Sequence, residues 1–134
     1  MKTLASYLGG AWIPGDGPAI SLVNPATEER VAVAHGRNLD LGGALAFARD
    51  RGGPALRALT FAERGALCAA LAKAMHGARE ELIALAVANG GNTRGDAKFD
   101  IDGAASTLAY YGELRAKLGD ARLLRDGDAA QIGR

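Results

Sequence analysis

The sequence predicts a short β-meander followed by three to five helices, and three observations carry that expectation. Residues 1–35 hold short apolar pieces separated by Gly and Pro turn chemistry. After His35-Gly36 the apolar residues stop alternating and recur at steps of three and four. The longest such run, 60–89, opens on Thr60 with Glu63 three residues later, the signature of a capping box.

Taken in order, YLGGAWI reads as a small hairpin turning at Gly9-Gly10, and Pro14-Gly15-Asp16-Gly17-Pro18 reverses the chain. Ile20, Leu22 and Val23 form a third strand before Asn24-Pro25, where proline bars a helical conformation at Asn24. Val31 to Ala34 resume an extended run, which leaves open sheet edges. Asn38 or Asp40 can cap a helix with Leu41, Ala44, Leu45 and Ala48 on one face, and Gly52-Gly53-Pro54 is expected to stop it. In 60–89, Leu67, Leu71, Met75, Ala78, Leu82 and Leu85 share a stripe that should be buried. Each large side chain is worth about 2 kcal/mol when covered, against about 1 kcal/mol lost at Gly65 and at Gly77. Gly77 marks a bend or break, and Asn89-Gly90-Gly91 supplies a left-handed end. Thr93 and Asp96 cap a last helix, with Ile101, Ala104, Leu108, Tyr111, Leu114 and Leu118 on its apolar stripe. The organisation read from this is a meander over 1–35, helices over 38–118 and a polar linker over 119–134.

A net charge of +1, with 49% hydrophobic and 23% charged residues, fits the globular class and gives no footprint for nucleic acid. The 29 Ala and 19 Gly mean that much of the apolar fraction is too small to fill a core. One cysteine excludes an internal disulfide, and no apolar run is long enough for a signal peptide or a membrane span. The expectation is a soluble, cytoplasmic protein without a nucleic-acid or membrane partner.

Candidate chemistry is sparse. Cys68 sits in mid-helix beside Leu67, Leu71 and Ala72 without a base at helical spacing, so a packed side chain is the favoured reading. His35 and His76 lack further ligands at metal spacing, and His76 suits the end of a helix. Asp96, Asp100 and Asp102 read better as an acidic first helical turn than as a cation site. Of Tyr110 and Tyr111, one is expected in the core and one at the surface. The glycine pairs form neither GxGxxG nor GxxxxGK[ST]. No catalytic, cofactor-binding or metal residue is assigned.

The order of the parts carries more than any one of them. Gly10-Ala11-Trp12, Asn24 to Glu29, Glu63 to Leu67, Asn89-Gly90 and Tyr110-Tyr111-Gly112 occur in the order of five motifs of the aldehyde dehydrogenase superfamily, and the chain resembles that family's amino-terminal part. Residues 52–67 and 89–111 resemble most the branch that oxidises ring-cleavage semialdehydes carried on coenzyme A, in phenylacetate and benzoate degradation. Glu28-Glu29 stands where the family commonly has Gly-Glu, and Gly112 where it has Ala. The resemblance implies an α/β fold, with these residues as outer strands and first helices of a Rossmann-type cofactor domain. It further implies NAD or NADP as cofactor, a Cys nucleophile, a Glu base, an Asn with a backbone amide as oxyanion site, and homo-oligomers. Those groups belong to regions downstream of this chain, and Cys68 does not match the nucleophile's motif. Three readings follow: an inactive leading segment of an NAD(P)-dependent aldehyde dehydrogenase whose partner is the remainder of that chain, a stand-alone helical interaction module, and an autonomous enzyme using Cys68.

Overall fold

The computed structural model describes residues 2–126 and 129–131, and the chain divides into two compact units. One comprises Met1–Gly52 and Glu80–Lys98, the other Gly53–Arg79 and Phe99–Arg134.

In the first unit, β1 (Lys2–Thr3), β4 (Ile20–Val23) and β5 (Arg30–Ala34) form a sheet in the order β1-β5-β4. β2 (Ser6–Leu8) and β3 (Ala11–Ile13) close separately into the expected hairpin. Gly9 and Gly10 both take positive φ, 59° and 90°, the conformation a two-residue hairpin turn needs. Tyr7 faces Trp12 across the ladder with ring centroids 5.1 Å apart. The strands occur where the sequence places them, but β1 was not foreseen and runs parallel to β5. The Leu4 amide extends that pairing to the Val33 carbonyl at 2.8 Å.

Between β4 and β5, the Asn24 Oδ1 accepts the Ala26 amide at 2.9 Å, and the Asn24 carbonyl accepts the Glu28 amide at 2.8 Å. This turn puts Glu28 at φ 62°. A left-handed backbone is costly for any side chain with a Cβ, which accounts for glycine as the common family residue there. The turn also lies against Gly91, the residue after the Asn89-Gly90 motif, where an added Cβ would be 2.7 Å from the Pro25 Cγ.

Asp40 caps α1 (Leu41–Phe47), its Oδ1 accepting the Gly43 amide at 2.8 Å. The expected stop at Gly52-Gly53-Pro54 is corrected by the structure. The chain passes through one π-helical turn, Ala48–Gly52, into α2 (Gly53–Ala58). Pro54 follows directly on the π-helical turn, where the helical hydrogen-bond register changes and the amide hydrogen that proline lacks is missed least.

The long apolar run breaks as expected, into α3 (Phe61–Gly77) and α4 (Arg79–Gly90). Thr60 and Glu63 form the capping box: the Glu63 amide donates to the Thr60 hydroxyl at 3.1 Å, and the Thr60 amide to the Glu63 carboxylate at 2.8 Å. Gly91, at φ 69°, ends α4 with its amide on the Val87 carbonyl. α5 (Arg94–Leu118) starts at Thr93, whose hydroxyl accepts the Asp96 amide at 3.2 Å.

The stripe expected in the core is not there. Leu67 and Leu71 are 54% and 52% exposed, and the buried positions of α3 are Gly65 and Ala72. Among the described residues the core is small: Ala32, Val33, Ile83 and Ala97 in the first unit, and Ala72 in the second. Physically, the helix packs through the face that lets backbones approach, and the large side chains lie off that face. The segment read as a linker carries β6 (Leu124–Asp126) and β7 (Ala129–Gln131), paired antiparallel; residues 127–128 and 132–134 lie outside the described residues.

Candidate functional site

In the second unit, α3 and α5 touch through their smallest residues. A Cβ on Gly65 would sit 2.6 Å from the Arg115 Cβ, and one on Gly112 would sit 3.0 Å from the Ala69 Cβ and 3.1 Å from its backbone nitrogen. Gly112, the departure from the family's Ala, therefore sits at a close approach of the two helices. Gly65, Ala69 and Ala72 are spaced by four and three along α3, as are Ala105, Ala109 and Gly112 along α5, so each set lies on one helical face.

A groove of about 460 Å³ runs over this contact. Ala69, Ala72, Ala105, Ala109 and Gly112 give it an apolar floor. Its rim carries Lys73 and His76 from α3, and Ser106, Glu113 and Arg115 from α5. The rim side chains are exposed. Those of Lys73, His76 and Arg115 make no hydrogen bond or ion pair with another described residue.

Arg64 organises the start of α3. Its Nη1 donates to the carbonyls of Leu56 and Leu59 at 3.2 and 2.7 Å, and its Nη2 to that of Arg122 at 3.1 Å. The guanidinium also lies 4.5 Å above the Phe61 ring. One side chain thus ties the end of α2 and the segment after α5 to the head of α3. The Arg of the expected ERxxxL motif has a packing role that only the structure reveals.

The remaining candidates are scattered. Cys68 is half-buried in α3, and His76 lies in the last turn of that helix. His35 has its Nδ1 2.9 Å from the Gly17 carbonyl. Of the three aspartates only Asp96 is in the first turn of α5. Asp102 instead forms a bidentate pair with Arg79, Nε to Oδ1 at 2.6 Å and Nη2 to Oδ2 at 2.9 Å. Tyr110 and Tyr111 are both exposed, at 59% and 56%, with rings edge to face at 5.5 Å, which corrects the expectation that one enters the core. Among the described residues no group of three His, Cys, Asp or Glu could hold a metal ion, and no helix is long and apolar enough to cross a membrane.

The starts of the longer described helices do not offer a cradle for a dinucleotide's phosphates. Phosphate cradles use free amides and a positive dipole at a helix start. Here Asp40 caps α1, and the first turns of α3, α4 and α5 carry Glu63, Glu80 with Glu81, and Asp96 respectively. At α3 the first amides are also taken, those of Phe61 and Ala62 by the Ala121 and Gly119 carbonyls at 2.8 Å. The one parallel pairing among the described strands, β1 with β5, spans two residues on each side.

Solved structures that share this architecture are dehydrogenases and a related NADP-dependent enzyme. An NAD-dependent benzaldehyde dehydrogenase from Corynebacterium glutamicum superposes with a TM-score of 0.74 at 21% identity, over 84% of this chain and 25% of that one. An E. coli NADP-dependent enzyme gives 0.73 at 27% identity, over 87% and 24%. A 3,6-anhydro-L-galactose dehydrogenase in complex with NAP gives 0.75 at 18% identity, over 96% and 27%. The chain thus has the fold of an α/β segment found in these proteins.

Sequence comparison is more specific. The model of the aldehyde dehydrogenase family matches residues 12–132. The 3,4-dehydroadipyl-CoA semialdehyde dehydrogenase of Aromatoleum evansii is 39% identical over 131 residues, 98% of this chain and 25% of that protein. The chain belongs to the aldehyde dehydrogenase family, as an amino-terminal segment, and spans about a quarter of the length of the relatives it matches.

Proposed function

We propose that this chain is the leading part of the cofactor-binding domain of a cytoplasmic NAD(P)-dependent aldehyde dehydrogenase. The complete enzyme oxidises a CoA-linked semialdehyde from aromatic-ring degradation to the acid and assembles as a homo-oligomer. The chain alone is inactive, and residues 119–134 lead into the remainder of the enzyme. The carrying observation is 39% identity along 98% of the chain to one quarter of a CoA-semialdehyde dehydrogenase. The misfit of the described helix starts to a dinucleotide supports inactivity of the chain on its own.

The test joins the chain to the remaining three-quarters of the Aromatoleum relative and follows NAD(P)H formation from a CoA-linked semialdehyde. Turnover by the chimera and none by the chain alone is expected. A folded but silent chimera overturns the reading, as does turnover by the isolated chain that Cys68→Ala abolishes.

A further inference from the structure

The chain leaving α5 is laid across the head of α3. Gly119, at φ 57°, ends α5 with its amide on the Arg115 carbonyl at 2.9 Å, and the turn carries the next residues to the start of α3. There the Phe61 and Ala62 amides donate to the Ala121 and Gly119 carbonyls, both at 2.8 Å, and the Arg64 Nη2 donates to the Arg122 carbonyl at 3.1 Å. Phe61 and Ala62 are the first two residues of the helix, so their amides have no acceptor within it. Residues 119–122 supply those acceptors and bury little themselves. Asp120, Ala121 and Arg122 are exposed, and no residue from 119 to 124 is buried. A segment held by backbone hydrogen bonds, without buried side chains, opens at a lower free energy than the helices beneath it.

We propose that residues 119–122 form a strap that opens and closes as a unit on the head of α3, and that Arg64 is its latch. The guanidinium is well placed for that work. Its Nη1 is fixed on the Leu59 carbonyl at 2.7 Å and its plane lies over the Phe61 ring, so Nη2 is presented to the Arg122 carbonyl by a group that is already held. A lysine at the same position keeps the charge but has no fork with which to hold both sides at once. Opening the strap frees the chain beyond α5 and exposes the first two amides of α3, while the hydrogen bonds within both helices stay closed.

Hydrogen exchange of the full chain, followed amide by amide at low urea concentrations, tests this. Because the Phe61 and Ala62 amides have no acceptor in α3, their protection reports the strap alone. In the wild type their exchange should be nearly independent of urea, whereas the amides of Leu71 and Ala109, in the middle of α3 and α5, should show the steep dependence of unfolding. Arg64→Lys should speed exchange at Phe61 and Ala62 by about tenfold or more. Arg122→Ala keeps the carbonyl that Arg64 holds and should leave both amides as in the wild type. Equal urea dependence at Phe61, Ala62 and Leu71 overturns the proposal, since the strap would then open only when the helices unfold. Unchanged exchange at the two amides in Arg64→Lys overturns the latch, as does an equal effect of Arg122→Ala. The urea comparison is made on the wild type and stands whether or not Arg64→Lys folds.

Discussion

Gly65→Ala is a sharp test of how α3 meets α5. Alanine in a helix interior is favoured over glycine by about 1 kcal/mol, so on propensity alone the change stabilises. Against that, the new Cβ would lie 2.6 Å from the Arg115 Cβ, about 1 Å inside an ordinary carbon contact of roughly 3.5–4.0 Å. A Cβ is fixed by its backbone and cannot rotate away, so the helices must separate or one must shift. Overpacking of this kind costs about 1–3 kcal/mol. At the middle of that range the net loss is about 1 kcal/mol, or roughly 4 °C in Tm for a chain of this length. Gly103→Ala is the control. It lies in α5 with nothing within 4 Å of the added carbon, so it should gain about 1 kcal/mol. Urea denaturation of wild type and both variants, followed by the helix signal, gives a difference between them of about 2 kcal/mol. Equal stabilisation by the two alanines would refute the close approach at Gly65.

Glu28→Gly should raise stability. The left-handed backbone at φ 62° costs a non-glycine residue about 1–2 kcal/mol. Less glycine's entropic cost of about 0.5–1 kcal/mol, the net gain is about 0.5–1 kcal/mol, read as a rise in melting temperature. Thr60→Ala removes the cap of α3 and should cost about 1 kcal/mol. It should also reduce a pH dependence without abolishing it, because the backbone amide of residue 60 still donates to the Glu63 carboxylate. The Thr60 amide and hydroxyl hold the Glu63 carboxyl below its usual value of 4.5. The unfolded chain then binds more protons in that interval, so the contribution is full above 4.5 and is lost as pH falls through the lower folded value. Acid titration of the helix signal in wild type and Glu63→Gln checks the sign: the variant should lack this part of the acid loss.

Local chemistry was legible where one residue decides the backbone. The capping box at Thr60, the cap at Asp40, the break after Gly77 and the left-handed Gly91 all follow from groups within four residues of one another. Packing was misread for one consistent reason. Apolar periodicity ranks faces by side-chain size, and it selected Leu67 and Leu71. The contact face is selected by how closely two backbones approach, which favours Gly65, Ala69 and Ala72. A search for small residues at steps of four and three would have found both halves of that contact. The π-helical turn at Ala48–Gly52 had no comparable signal, since Gly52-Gly53-Pro54 has the composition of an ordinary helix stop.

The same distinction bears on what the surface means. In a chain whose helices pack through alanine and glycine, the large apolar residues are left to face outward, as Leu67, Leu71 and Phe99 do. Burying a leucine is worth about 2 kcal/mol, so a partner that covered these residues would gain by it. The 39% identity to one quarter of a larger enzyme supports the remainder of such an enzyme as what covers them.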